Sequence, residues 1–281
     1  PDALDRQPAQ DPAHGGSRER NARAPFVSLT DSHCHIDAPE FDADRGEIVA
    51  RAAAAGVTRL IAPAVSAGGW PKLREVSRAY AQVEAAYGLH PMYLDEHRPG
   101  HLSQLREWIE RERPAAIGEC GLDFFVEGLD PDLQREFLIG QLRLAREFDL
   151  PVILHARRAV DEVTALLRRI GGLRGVVHSF SGSLQQAGIL CEMGFLLGFG
   201  GPVTHARANR LRGIVASIPI ERLLLETDAP DQPDAAIRGQ RNEPSRLPAI
   251  AQTIAELRGV SLENLAERTA ANAVVLFGPP R

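Results

Sequence analysis

Three cysteines, Cys34, Cys120 and Cys191, stand far apart in a chain of 281 residues. They are too few and too scattered for a disulfide framework, and without a CxxC pair they read as reduced packing residues rather than a metal site. No apolar stretch approaches the roughly 18–20 uninterrupted residues that cross a bilayer. The polar N-terminal residues lack the apolar h-region of a secretory leader. A cytoplasmic protein without a membrane partner is therefore expected, and a monomer is the default. Positive charge is also short: Lys+Arg 32 against Asp+Glu 37 leaves a formal net charge of −5. Domains that grip nucleic acid by bulk electrostatics are usually basic, so that class is disfavoured. An enzyme that holds one phosphate through metal ions is not. Lysine is represented by Lys72 alone.

Residues 1–25 carry Pro, Ala, Gly, Asp and Arg with no apolar period. They read as a flexible N-terminal arm, with Arg18, Arg20 and Arg23 on a solvated tail. From Phe26 a regular alternation begins, and residues 26–281 form one domain. Short apolar runs recur near 26–32, 59–65, 84–90, 115–121, 151–156, 175–180, 195–201 and 223–229. Several are continuous, as buried parallel strands are. Helical patterns separate them. In 131–149, Leu133, Phe137, Leu138, Leu142, Ala145 and Phe148 form one apolar face, and in 101–112 Leu102, Leu105, Trp108 and Ile109 do the same. Pro71 and Pro131 stand where helix starts are expected. Such strand–helix units repeated to eight close a (β/α)₈ TIM barrel, which takes about 250 residues. A doubly wound open sheet is the structural alternative.

The polar residues fall at the ends of these runs. Asp31-Ser32-His33-Cys34-His35, Gly88-Leu89-His90, Glu119-Cys120-Gly121-Leu122-Asp123, His155-Ala156-Arg157, His178-Ser179 and Glu226-Thr227-Asp228 each follow or finish an apolar stretch. In a parallel barrel those ends share one face, where active sites lie. His33 and His35, two apart on a strand, point to the same side, and Cys34 to the other. A cluster of polar groups in a core is costly unless paired or metal-bound. His33, His35, Glu119, His155, His178 and Asp228 are the candidate ligands. By the same alternation Cys120 points into the barrel–helix layer, where it packs. Gly198, Gly200 and Gly201 form no phosphate-binding fingerprint and read as close backbone approach at the mouth.

The motifs DSHCHID (31–37), YGLHP (87–91), AIGECGLD (116–123), PVILHAR (151–157), VVHSFSG (176–182), LLLETDAP (223–230) and RNEPSRLP (241–248) resemble, in order, those of the TatD family of metal-dependent deoxyribonucleases. The likeness spans roughly residues 27–278 and is greatest to the YjjV-like branch. It implies an amidohydrolase-type TIM barrel that hydrolyses phosphodiester bonds, possible 3′–5′ exonuclease action on single-stranded DNA included. It also implies two divalent metal ions: His33, His35 and Asp228 hold one, His155 and His178 the other, and Glu119 bridges them. His90 matches a family histidine expected to contact the substrate phosphate or leaving group. The chain departs from the family at Met92, where many members have a histidine. It departs again at Arg158-Ala159, where an acidic residue is common.

Such a site implies a metal-activated hydroxide as nucleophile, with Asp228 able to take its proton. Arg157 either pairs with a phosphate oxygen or forms a rim salt bridge. Glu226 either orients a ligand or packs behind its strand end. Mixed imidazole and carboxylate ligands leave Zn, Mn, Mg, Ni and Co open. The rival reading is an amidohydrolase-type C–N or small-ester hydrolase or deaminase. A carboxylated lysine bridge is excluded, since Lys72 precedes the fourth run by a whole unit. A non-catalytic metal-binding protein is the third class.

Overall fold

The computed structural model describes residues 28–280; the proposed arm at residues 1–25 lies outside them. Strands β1 (Leu29–Asp31), β2 (Val57–Pro63), β3 (Val83–Tyr87), β4 (Ala116–Asp123), β5 (Val152–Arg157), β6 (Gly175–Val177), β7 (Leu196–Phe199) and β8 (Leu223–Leu225) form one parallel sheet in sequence order. Helices α1 (Arg45–Ala54), α2 (Trp70–Ala79), α3 (Gly100–Glu112), α4 (Pro131–Glu147), α5 (Val160–Ile170), α6 (Leu184–Glu192), α7 (Asn209–Ser217), α8 (Leu247–Arg258) and α9 (Leu262–Phe277) alternate with them or follow the last strand. This is a (β/α)₈ TIM barrel, and the open doubly wound sheet is excluded. No helix among the described residues is long and apolar enough to cross a membrane.

The strands are shorter than several apolar runs suggested. The first stops one residue early and the sixth, seventh and eighth two or more, because their backbone groups leave the ladder for other partners. Between β8 and β1 the seam is closed by loop residues. Ser32 N–H donates to the Leu225 carbonyl (2.9 Å), Asp228 N–H to that of His33 (2.9 Å) and His35 N–H to that of Ala229 (2.8 Å). The buried Asp31 carboxylate accepts from the Thr227 N–H (3.0 Å), the Thr227 hydroxyl and the His33 N–H (3.2 Å). Two histidine-bearing and aspartate-bearing motifs are thus laced together where the barrel shuts.

Helix α4 shows how the outer layer positions what lies inside. Asp130 caps it by accepting from Asp132 N–H at 2.9 Å, and Pro131 opens it at the position where a missing N–H costs nothing. Its apolar face buries Phe137, Leu138, Leu142 and Ala145, as the spacing predicts. Two buried glutamines on the same face had no place in that pattern. Gln141 brackets Leu89, accepting from its N–H (2.7 Å) and donating to its carbonyl (3.1 Å). Gln134 brackets Asp123 likewise, at 2.7 and 3.0 Å. Each fixes the backbone beside a polar group at the barrel mouth.

Inside the barrel a separate core gathers Ile61, Ala86, Ala116, Ile153, Val176, Leu196 and Leu224 from the strands with Ala273, Leu276 and Phe277 of α9. Helix α9 therefore plugs the barrel, and burying each large side chain contributes about 1.5–3 kcal/mol. Its end is tied down by the buried Arg59. That guanidinium donates to the Gly278 carbonyl (3.0 Å) and pairs with both oxygens of Glu84 (2.7 and 2.9 Å). Cys120 lies in the layer between strands and helices, packed and fully buried, as strand alternation implies.

Candidate metal centre

At the opposite mouth, a cavity of about 720 Å³ is walled in part by His35, His90, Glu119, His155, His178 and Asp228. Glu119 sits at its floor, 1 % exposed, within β4. One oxygen, Oε1, meets His178 Nε2 (2.6 Å), His90 Nε2 (2.9 Å) and His155 Nδ1 (3.2 Å). The other, Oε2, faces His33 Nε2 (3.2 Å) and His35 Nε2 (3.6 Å). Asp228 Oδ1 lies 3.4 and 3.5 Å from the same two nitrogens. All the candidate ligands therefore converge, in overlapping sets: His33, His35 and Asp228; His33, Glu119 and His178; His90, Glu119 and His155.

Two expectations need correction. His33 and His35 are not strand residues, since β1 ends at Asp31. Extended backbone past the strand end still brings both rings to one side, with Nε2 atoms 3.3 Å apart, while Cys34 is buried on the other. Arg157 forms no rim salt bridge among the described residues; its guanidinium lies over the Phe125 ring, 3.6 Å from the centroid.

Hydrogen bonds assign the ring protons. His35 Nδ1 is 3.2 Å from the Pro63 carbonyl, which can only accept, so that nitrogen carries hydrogen and Nε2 presents a lone pair to the centre. His155 is held the other way round. Its Nε2 donates to Asp123 Oδ2 (2.8 Å), leaving Nδ1 as the nitrogen facing Glu119. His90 is reversed again: Met92 N–H donates to its Nδ1 (3.1 Å), so Nε2 is the protonated nitrogen and donates to Glu119. The geometry thus separates His35 and His155, whose lone pairs face inward, from His90, which offers a donor.

The electrostatics agree with a cation-binding cluster. Burial alone would raise the Glu119 carboxyl, but the imidazoles of His178, His90 and His33 outweigh it and hold it well below the usual range. Burial and the neighbouring His178 push His33 down to about 4, leaving it neutral. For His178, burial acts downward and is overcome by Glu119, which draws it up to about 10. Glu119 Oε2, His33 Nδ1 and His178 Nδ1 are buried without a hydrogen-bond partner. A buried, ionised carboxylate among imidazoles, with an oxygen left unpaired, suits a divalent ion better than a self-contained core.

Around this centre lie carboxylates whose roles spacing does not reveal. Asp123 orients His155, and Asp31 binds the closing seam. Glu226 is buried behind the strand end and accepts from the Ser179 N–H, with Oε1 4.0 Å from His178 Nδ1 and no hydrogen bond to it. It fits only because Gly198 has no side chain, since a Cβ there would lie 2.0 Å from Glu226 Oε2. Gly201 is likewise closed against the Gln232 carbonyl, so the β7 glycines serve close approach. Lys72 lies on α2, paired with Asp42 at 2.7 Å, away from β4.

Comparison with known proteins bears on this geometry. The family described as TatD related DNase matches residues 30–278. The uncharacterized metal-dependent hydrolase YjjV of Escherichia coli K12 is 42 % identical over 256 residues, covering 89 % of this chain and 98 % of that one. Its crystal structure superposes with a TM-score of 0.87, covering 91 % of this chain and 100 % of that one at 39 % identity. A 3′-5′ ssDNA/RNA exonuclease, TatD of Cronobacter sakazakii, is 38 % identical over 89 % of this chain and 97 % of its own. The human deoxyribonuclease TATDN3 is 33 % identical over 91 % and 96 %. The chain belongs to the TatD family of metal-dependent hydrolases.

Proposed function

We propose that this chain hydrolyses phosphodiester bonds at the ends of single-stranded nucleic acid, using two divalent ions. The observation that carries the reading is the division of the cluster into two halves about one carboxylate. Glu119 Oε2 faces His33 and His35 while Oε1 faces His155 and His178. His33, His35 and Asp228 would hold one ion and His155 and His178 the other, with the Glu119 carboxylate available to both sets. Bound ions supply the positive charge that activates water and offsets charge developing on the phosphoryl oxygens.

The chain's own groups do the rest. His90, its proton on Nε2, donates to a phosphate or leaving-group oxygen. Asp228 lines the cavity, with Oδ2 held by Gln232 Nε2, and accepts the proton of the attacking water. Arg157, on the wall of the same cavity, pairs with a non-bridging oxygen. The 3′-5′ ssDNA/RNA exonuclease activity named for the Cronobacter relative supports the choice of substrate.

The test is hydrolysis of an end-labelled single-stranded oligonucleotide by metal-stripped protein, before and after adding Zn²⁺, Mn²⁺, Mg²⁺, Ni²⁺ or Co²⁺. Stepwise shortening that requires metal is expected, with Glu119→Gln slower by about 10³-fold, the several kcal/mol a lost bridge removes. No cleavage with any of these metals, by protein shown to bind two ions per chain, would shift the reading to a small ester or C–N substrate.

A further inference from the structure

Arg157 ends β5 on the wall of the metal-centre cavity, but Arg158, the next residue, has no part in that site. Consecutive residues of a strand point to opposite faces. Arg157 and Arg158 nonetheless both lie over the Phe125 ring, their guanidinium carbons 3.6 and 4.6 Å from its centroid. A left-handed backbone at Arg158 (φ 54°) accompanies this arrangement. Phe125 itself is 44 % exposed, and its loop is fixed by Asp123, whose Oδ1 accepts from the N–H groups of Phe125 (2.8 Å) and Val126 (3.0 Å). The carboxylate that orients His155 thus also places the aromatic ring.

Two guanidiniums gathered on one aromatic ring attract an anion, and neither forms a salt bridge with a carboxylate among the described residues. Two acids also line the groove: Glu162 is paired with Arg135 (3.1 Å), and Asp161 accepts from Gln186 Nε2 (2.8 Å), so three guanidiniums face one carboxylate without an ionic partner. Arg210 adds a third guanidinium, anchored by donation to the Ser181 carbonyl (2.9 Å). Phe125, Arg157, Arg158 and Arg210 border a groove of about 720 Å³. It shares Ala156, Arg157 and Ser181 with the metal-centre cavity, so the two are continuous. In a chain of net charge −5, this is a local concentration of cations at the edge of the reaction site.

We propose that this groove binds the phosphates of the nucleotides next to the scissile bond, which makes the preferred substrate an oligonucleotide strand rather than a small phosphodiester. The inference rests on the phosphodiesterase reading above. Arginine forks suit phosphate oxygens, and guanidinium planes and the open part of Phe125 accept unstacked bases. Two features favour a single strand: a duplex does not splay its bases, and a net charge of −5 gives little general attraction for one.

The experiment compares native protein with Arg158→Ala, Arg210→Ala and Arg158→Lys, on a ten-nucleotide single strand and on bis(4-nitrophenyl) phosphate. In Arg158→Ala and Arg210→Ala the ratio of kcat/KM for the oligonucleotide to that for the small ester falls about 10-fold, through KM, and the salt slope of binding drops by about 1. Arg158→Lys recovers part of the loss. Equilibrium binding of a labelled phosphorothioate strand is measured alongside. Cleavage of both substrates with no change in ratio or slope overturns the groove and leaves the phosphodiesterase reading standing. Binding that weakens in Arg158→Ala, in a protein that cleaves neither substrate, removes that reading and keeps the groove. A strand that native protein does not bind overturns the groove.

Discussion

At the residue scale, the proton positions on the histidines do what the HxH spacing alone could not. Spacing marked His33, His35, His90, His155 and His178 as a set. Only the partners of each ring separate those with inward lone pairs from the donor His90. The same limit hid the partners of Asp31 and Asp123, which stand in recognisable motifs but act on residues 196 and 32 positions away. Asp123 supports a direct prediction. Its carboxyl is held down to about 2: burial acts upward, while His155 and the N–H groups of Val126 and Phe125 outweigh it. Asn in its place keeps the shape but removes the charge that holds His155's proton on Nε2. Asp123→Asn should weaken metal binding by about 10–100-fold, read by titration against a metal-chelating dye. Unchanged affinity would mean that His155 is oriented by packing alone.

At the scale of elements, the apolar runs located every strand, because buried parallel strands need continuous apolar sequence on both faces. What they overstated was length: β1, β6 and β8 stop early, and the motif residues lie on the loops beyond. The long connection from β8 to α8 carries family motifs but no apolar period from which its course could be read, and ion pairing helps organise it. Arg246 donates to buried Asp234 through Nε (2.7 Å) and Nη2 (3.2 Å), and Asp234 also accepts from Ala236 N–H (2.9 Å). Burial would raise the Asp234 carboxyl, but Arg246 and the backbone donor keep it below its ordinary value. A depressed folded-state pKa stabilises above the unfolded value of about 3.9 and is lost as pH falls through the folded one. Arg246→Ala should therefore cost about 2 kcal/mol at pH 7. In urea unfolding, the gap between variant and native protein should narrow as pH drops below about 4. A gap that stays constant with pH would assign the cost to packing of the arginine stem.

At the scale of the whole molecule, charge and shape act together. A net charge of −5 gives little general attraction for long duplex DNA, whose binding depends on many phosphate contacts. A groove lined by Arg157, Arg158 and Arg210 opens beside a concave mouth. A closed circular duplex should thus be cut far more slowly than a single-stranded oligonucleotide, by ~10²-fold or more if an end must enter the mouth. Agarose gels of relaxed and nicked circles run beside the oligonucleotide assay check this; equal rates would show that no free end is needed. The barrel itself was legible from the rhythm of the runs. The plug by α9 was not, because its inward residues Ala273, Leu276 and Phe277 look like any amphipathic helix until the inner core they meet is known.

The seam between β8 and β1 joins Asp31 to Thr227, residues 196 positions apart. His33 and His35 lie on one side of it and Asp228 on the other. During synthesis the two histidines leave the ribosome long before their aspartate exists. A nascent chain therefore holds only fragments of the cluster, each a poor chelator, until the closing stitch is made. On the proposed ligand set, ion binding would be coupled to completion of the barrel: an unfinished copy would have no assembled pocket with which to scavenge ions, and a loaded ion would in turn clamp the seam between β8 and β1.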